Sequence, residues 1–429
     1  MKRFKIVSVI LAVLLLTSSC KFMSFDMNTL LTPPLMNSDN MQINKAITDV
    51  AGGIYEPVYP QKGNYKSSVI SVKLTEDISS TICFYSSGSD KEVSFIILDN
   101  IDGKWTRSGI LKSKASGVER VDFCDLDGDS RKEIVIGWKY LSGDEYGVEV
   151  FSVNSENEII SRYTGMYNEF ITFDDAVVVI SKNIALKTAS ATLIGNTESG
   201  IGIVNTVSLN NSIAGFVKIQ TGKGELSGSK TDVIFIDEQL DSNTFVTELL
   251  LLGGSDTKTL SVASLNTQTL RLNAHTCKDV DGDGLPDIPI ERTLPMYYRN
   301  GTEERLSYVD WHSCKSGELT YIKSAYSSVN EPFYIELPQE WIGKITIKRD
   351  EVYDRTIHFF ALDGENELPM FSIRVFSHQG FHSSSQNSEW LEIASAGENV
   401  YTYKNAGGEL PKAFSTTLDM IKENLKVIA

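Results

Sequence analysis

Histidine and cysteine are scarce in this chain, with five of each among 429 residues. No two cysteines stand in a Cys-x-x-Cys pair, so the zinc and redox motifs built on that spacing are excluded. Positive charge is also short: 40 Lys and Arg face 56 Asp and Glu, for a net charge of −16. Proteins that bind phosphate backbones concentrate cations, so no nucleic acid is expected as a partner. Gly-x-Ser-x-Gly, His-Glu-x-x-His and Gly-x-x-x-x-Gly-Lys-Ser/Thr are all missing, which removes the usual signatures of serine hydrolases, zinc proteases and P-loop enzymes. Beyond the N-terminus no apolar run approaches the roughly eighteen residues that a membrane span needs. What remains is ample for folding. Hydrophobic residues make up 41% and charged residues 22%, a balance that supports packed cores, and the length predicts two or three domains.

Residues 1–20 have a three-part layout. Lys2, Arg3 and Lys5 form a basic start, Ile6 to Leu16 an apolar run broken only by Ser8, and Thr17, Ser18 and Ser19 precede Cys20. This is the arrangement of an export signal, too short to span a bilayer. The stop at Cys20 resembles a bacterial lipobox, with Thr17 where leucine is commonest. The resemblance implies that residues 1–19 are removed as a lipoprotein signal peptide and that Cys20 is lipidated. Export would then leave the chain on the outer face of the cytoplasmic membrane, at the cell surface, with the membrane itself as a partner. Loss of the three cations takes the net charge from −16 to −19. Residues 20–40, with Leu31-Thr32-Pro33-Pro34, read as a tether to the globular part.

From about residue 65 to 325 short β-rich runs alternate with turn residues. Val93–Leu98, Ile134–Trp138, Gly147–Val153, Ala176–Ile180, Asp232–Ile236 and Phe245–Leu252 read as strands. Asn100-Ile101-Asp102-Gly103 and Asn300-Gly301 read as turns between them. Four segments look alike, and taking Phe84, Ile136, Phe235 and Ile288 as equivalent points gives steps of 52, 99 and 53 residues. Ala176–Ile180 falls inside the double step as a further, degenerate copy. A period near fifty with about four strands per repeat suits a propeller blade, because one small sheet cannot bury both its faces alone. The expectation is mainly β: a β-propeller-like body of about five to six irregular blades over residues 41–328.

Two segments carry chemistry. Asp279-Val280-Asp281-Gly282-Asp283-Gly284-Leu285-Pro286-Asp287 places carboxylates at positions 1, 3, 5 and 9, as does Asp125-Leu126-Asp127-Gly128-Asp129-Ser130-Arg131-Lys132-Glu133. Glycine at position 4 lets the loop turn tightly, and the main-chain carbonyl of position 7, Leu285 or Arg131, is available as a further oxygen. A flexible, all-oxygen, multi-carboxylate nest suits Ca²⁺ better than Mg²⁺. Four neighbouring carboxylates also repel one another unless a cation lies among them. An EF-hand would need a bidentate Glu at position 12, where Ile136 and Ile290 stand instead. Without metal these would be Asp/Gly turns and nothing more. Bound ions are expected to brace the fold and not to catalyse.

These loops, each followed by an apolar strand, resemble the FG-GAP and VCBS-type repeats of integrin-like propellers. The mature chain as a whole resembles a group of clostridia-like bacterial lipoproteins. That resemblance rests on Leu30–Pro34, Tyr59–Ser68, Cys277–Pro289, Tyr308–Trp311 and the C-terminal stretch. It implies a Ca²⁺-loop propeller, with Leu74-Thr75-Glu76-Asp77 replacing the acidic loop in the first repeat.

After about Asn330 the pattern changes. Phe333–Pro338, Trp341–Ile347, Thr356–Leu362 and Met370–Val375 read as strands, followed by a helix near Ser415–Val427 with Ser415 as its cap and Leu418, Ile421, Leu425 and Ile428 on one face. Residues 329–429 are therefore expected to form a small α+β domain. The Leu-Pro-x-x-Trp-x-Gly-Lys-Ile segment resembles sandwich domains of the PsbP kind, which implies partner binding over catalysis. His378 and His382 stand four apart, but Ser377–Asn387 is rich in Ser, Gly and Gln and reads as a loop. Cys83, Cys124, Cys277 and Cys314 suit buried thiols or disulfides equally. The five tryptophans are expected in cores.

The resulting expectation is a lipid-anchored, extracytoplasmic binding or scaffold protein with structural Ca²⁺, recognising a protein or glycan that the residues do not name. The alternative is an extracellular hydrolase of glycan or peptide using carboxylates on the propeller axis. A role in envelope assembly is the third reading.

Overall fold

The computed structural model describes residues 38–427 apart from 88–90, 141–145, 155, 227–228, 254–257, 264, 266, 297–305, 315–317, 328–332, 354 and 383–388. The leader 1–19, Cys20, the tether up to residue 37, the Asn300-Gly301 turn and Ile428 lie outside the described residues. Strands account for 58% of the structure, in several antiparallel sheets. The strand pairing closes no barrel and does not by itself define a propeller or a number of blades. Among the described residues no helix is long and apolar enough to cross a membrane.

The chain divides into two units, one of residues up to Arg120 with Val153–Ile160, the other of Val121–Ser152 with Ser161–Ala429. The first opens with helix α1 (Ser38–Ala51), so residues 38–40 of the expected tether are helical. Ile43 and Ile47, one turn apart, bury that helix against Cys83, Tyr85, Ile96 and Leu98 of sheet one. Sheet one comprises β1 (Tyr55–Pro57), β2 (Val69–Val72), β3 (Ser80–Ser87), β4 (Val93–Ile101) and β5 (Lys104–Lys112), with β1 and β2 both paired to β3. The expected turn at Asp102-Gly103 joins β4 to β5, and both residues take left-handed φ values of 52° and 79°. Such φ values match the twist of a two-residue hairpin.

The sheets that follow repeat one plan. Sheet two is β6 (Gly117–Cys124), β7 (Glu133–Lys139), β8 (Tyr146–Val153) and β9 (Ile159–Met166). Sheet three is β10 (Glu169–Thr172), β11 (Val177–Asn183), β12 (Thr188–Thr197) and β13 (Gly200–Ser208). Sheet four is β14 (Gly215–Leu226), β15 (Ser229–Asp241), β16 (Thr244–Gly253) and β17 (Thr259–Ala263). In all three the spatial order follows the chain. Sheet five continues with β18 (Ile288–Thr293), β19 (Ser307–Ser313), β20 (Thr320–Ser327) and β21 (Phe333–Leu337). Ahead of β18, an isolated bridge between Lys278 and Asp287 stands where a first strand would be.

The inner strands read as continuous apolar runs because neighbours cover both their faces. Six successive residues of β7, Glu133 to Trp138, are buried, whereas edge strand β9 has no buried residue and is half exposed. Sheets two and three share a core around Val135, Val150, Phe170 and Val177. Sheets three and four share Val178, Leu193, Ile234 and Leu250. Sheets four and five share Phe235, Leu249, Leu285 and Ile288. Apolar burial at roughly 25 cal/mol per Å² is what holds such a series together.

The C-terminal hundred residues form sheet six from β22 (Ile345–Arg349), β23 (Thr356–Asp363), β24 (Asn366–Ser377), β25 (Leu391–Ala396) and β26 (Asn399–Asn405), in the order β22-β23-β24-β26-β25. One core joins it to sheet five, with Tyr326 and Phe333 packed among Trp341, Phe359, Phe371 and Tyr401. Phe359 and Phe371 stack at 4.3 Å. The expected helix near Ser415–Val427 is shorter than its sequence pattern. The residues between β24 and β25 begin not as the expected loop but as a short helix, α2 (His378–His382). Helix α3 spans Leu418–Asn424, and Thr417, not Ser415, caps it by accepting a bond from the Met420 N–H. Leu425–Val427 instead forms β27, which pairs with β21 at the edge of sheet five. An unpaired sheet edge outcompetes the last turn of a helix here.

Candidate metal centres

Both acidic loops run directly into the start of a strand, β7 for loop one and β18 for loop two. Loop one runs from the end of β6 to the start of β7. Loop two is closed by the Lys278–Asp287 bridge, with N···O distances of 3.2 and 2.9 Å, and runs into β18.

The loops share one hydrogen-bond plan. The position-1 carboxylate of loop two, Asp279, accepts from the Gly282 and Gly284 N–H groups at 2.6 and 2.9 Å. Its counterpart Asp125 accepts from Gly128 and Ser130 at 2.8 and 3.0 Å. Asp281 accepts from Asp283 N–H at 3.2 Å and Asp127 from Asp129 N–H at 3.3 Å. The position-5 carboxylates, Asp283 and Asp129, accept from the N–H groups of Leu285 and Arg131 at 2.8 and 2.7 Å. At position 9, Asp287 accepts from Val280 N–H at 2.9 Å and Glu133 from Leu126 N–H at 2.8 Å.

This plan needs left-handed backbone at positions 4 and 6. Gly282 and Gly284 supply it at φ 82° and 85°, and Gly128 at φ 75°, but position 6 of loop one is Ser130 at φ 68°. A side chain in that conformation costs about 1 kcal/mol relative to glycine. Ser130→Gly is therefore expected to stabilise the protein by about that amount, read as a higher urea midpoint at unchanged slope.

Three carboxylates converge in each loop. Asp279, Asp281 and Asp287 each bring an oxygen within 4.8 Å of the others, as do Asp125, Asp127 and Glu133. Oxygens on opposite sides of a Ca²⁺ ion stand about 4.6–5.2 Å apart, so the spacing fits. Asp283 and Asp129 lie outside these triads, turned to their own loop amides. Burial pushes Asp287 up to about 6, with the neighbouring Asp281, Asp283 and Asp279 adding to it. Burial likewise pushes Glu133 up to about 7, reinforced by Asp127, Asp129 and Asp125. Asp287 is fully shut off from solvent, and its Oδ1 has no hydrogen-bond partner. A buried, orphaned carboxylate oxygen beside two more carboxylates is costly, and a hard divalent cation removes that cost.

Loop two is also locked to sheet four. Leu285 is buried against it, and a Cβ on Gly222 of β14 would lie 2.3 Å from Leu285 Cδ1, so only glycine permits that seating. Lys218 and Gln220 of the same strand donate to the Cys277 carbonyl at 3.2 and 2.7 Å. The Cys277 N–H donates to Asp237 Oδ2 at 2.8 Å, and Asp237 pairs with the equally buried Arg271 at 2.8 Å. Arg271 spends its remaining donors on His275 O, Thr247 Oγ1 and Thr269 O. The pair is satisfied on every side, as a buried ion pair must be. These positioning residues went unread in the sequence, although a charge ending the run Val233–Ile236 was a signal.

A second buried acidic pair lies in sheet four. Glu238 and Glu248 are 0% and 3% exposed. Neither Glu238 oxygen has a donor from the protein. A hydrogen bond to the Glu248 carboxyl forms when the pair holds a proton, and burial with Glu248 beside it pushes Glu238 up to about 10.

The other sequence candidates separate clearly. Cys83, Cys124, Cys277 and Cys314 are free, buried thiols, and burial raises the pKa of Cys83, Cys124 and Cys277, which makes them inert. His378 and His382 occupy α2, where both are exposed. His378 Nε2 lies 3.2 Å from the Gly397 carbonyl. Trp138, Trp311 and Trp341 are fully buried, while Trp105 and Trp390 are half-buried. A comparison with protein-family models finds no match, and a comparison with curated proteins finds none either.

Proposed function

We propose that this chain is a lipid-anchored, extracytoplasmic binding or scaffold protein whose repeated sheets form a propeller-like body braced by Ca²⁺ at two loops. The observation that carries the metal reading is the orphaned, buried Asp287 Oδ1 within a triad that loop one repeats bond for bond. The propeller reading is supported by the placement of the sequence equivalents. Ile136 and Phe235 lie on β7 and β15, and the degenerate copy Ala176–Ile180 enters β11, each the second strand of a chain-ordered sheet; Phe84 lies on β3, to which β1 and β2 both pair, and Ile288 opens β18 after the Lys278–Asp287 bridge. Each sheet from two to five shares apolar cover with the next, as stacked blades must. Binding is favoured over hydrolysis because, among the described residues, the Glu238–Glu248 acid pair is buried away from any substrate. The anchor rests on Cys20 and the residues before it.

The test is made in intact Gram-positive cells. Wild type is expected to incorporate labelled palmitate, to fractionate with membranes, and to yield a specific cross-linked partner at the surface. Cys20→Ala is expected to lose the label and appear in the medium. Unlabelled wild type in the cytoplasmic fraction would overturn the assignment.

A further inference from the structure

We propose that a cleft beside loop one, walled by the same unit's sheets, binds a free α-amino acid with a short aliphatic side chain. The proposal rests on the reading of this chain as a binding protein and deepens it by naming a ligand class; Asp127 and Gly128 of loop one line the cleft, so the test is run with the metal state controlled.

The cleft encloses about 230 Å³, below the roughly 300–1,000 Å³ of sites for larger ligands. Its aliphatic lining is buried: Leu126, Ala176 and Leu193 are at most 2% exposed. Among the described residues that line it none is aromatic, and stacking on a ring is what recognises a sugar or a base. Space is left by Gly195 on β12, whose backbone is not left-handed. A Cβ there would meet only Val204 Cγ2 at 3.4 Å and the Asp175 carbonyl at 3.8 Å, both ordinary contacts.

The charged residues lining it are Lys258, Asp175 and Asp127; the last belongs to the loop-one carboxylate triad, so Lys258 and Asp175 are the pair that meets a ligand. Lys258 Nζ and Asp175 Oδ1 form an ion pair across it. The two side chains are 28% and 55% exposed, and exposed pairs of this kind contribute almost nothing to stability, so separating them costs little. Asn196 stands beside them, its amide donating to the Asp127 carbonyl at 3.3 Å. A ligand that carries an ammonium and a carboxylate next to a small apolar group matches all three features. Its carboxylate replaces Asp175 on Lys258, its ammonium takes Asp175, and its side chain covers the aliphatic lining. A ligand with a single charge would leave one rim group unpaired beside apolar surface, which is the physical basis of selection.

The test is thermal shift and titration calorimetry on the purified full chain, with L-valine and L-leucine as probes in both calcium and chelator. These are expected to raise the melting temperature, while isovalerate, isobutylamine and glucose, which lack one or both charges, do not. Lys258→Ala is expected to weaken binding by about tenfold or more, and Gly195→Val, which fills the cleft, to abolish it while keeping the calcium response. Absence of any response to the free amino acids in wild type overturns the proposal, as does an unchanged response in Gly195→Val or Lys258→Ala. Capture of a surface partner by cross-linking together with no response to amino acids overturns this ligand and leaves the binding reading standing.

Discussion

Calcium is expected to raise the melting temperature of the wild-type protein, and Asp281→Ala to lose the share of that gain that comes from loop two. An ion that binds only the folded chain stabilises it by about 2.7 kcal/mol at a hundredfold excess over its dissociation constant. That corresponds to a shift of several degrees for a large domain. Asp281 is exposed and holds only the Asp283 N–H, so its removal should leave folding intact. In chelator the variant is expected to match or exceed wild type, because one of three crowded carboxylates is gone. If the loop were only a turn, losing that bond would instead weaken the protein equally with and without calcium. The double variant Asp127→Ala/Asp281→Ala is expected to show no calcium response. Wild-type melting curves that coincide in calcium and chelator would sink the metal reading of both loops.

The second large effect concerns pH. Glu238 is held protonated in the folded protein, pushed up to about 10 by burial and by Glu248, whereas the unfolded chain releases that proton near the ordinary value of 4.5. Stability from this group is therefore full below pH 4.5 and declines as pH rises from there toward 10. The slope is about 1.4 kcal/mol per pH unit, so the total across that range is several kcal/mol. Asp237 nearby is committed to Arg271, and Glu248 accepts the Asn210 N–H at 3.0 Å, so neither relieves the pair. Glu238→Gln offers Glu248 a permanent donor and has no proton to lose. From pH 5 to pH 9 its urea midpoint is expected to fall less than that of wild type and to cross above it on the alkaline side, the contributions of Asp287 and Glu133 being common to both proteins. Parallel profiles for the two proteins would show that the pair does not share a proton.

Some of this was legible in the linear chain for definite reasons. The strands of β4, β7, β11, β15 and β16 appear as unbroken apolar runs because both faces are covered, and apolar runs between turn residues need no partner to be recognised. The acidic ladders were legible because a loop that folds on itself carries its ligands in consecutive alternate positions, and the structure brings positions 1, 3 and 9 of each together. Position 5 obeys the same alternation, and Asp129 and Asp283 accept from the N–H groups of Arg131 and Leu285 outside the triads. Helix α1 was missed because only Ile43 and Ile47 mark its buried face. The end of α3 was overextended because Leu425 continues the helical spacing while β21 claims it as a strand partner.

The amino-acid order by itself determined the mainly-β character, the fifty-residue rhythm and the two loops, since each depends on patterns among residues close in sequence. Only the tertiary structure decided that Asp237 meets Arg271 thirty-four residues on, that Gly222 makes room for Leu285, and that β27 joins sheet five. It also decided that Glu238 and Glu248 face one another in the dark of sheet four. Each of these requires a strand register and a neighbour's face, and no local pattern encodes which distant side chain will be there to neutralise a charge or fill a gap.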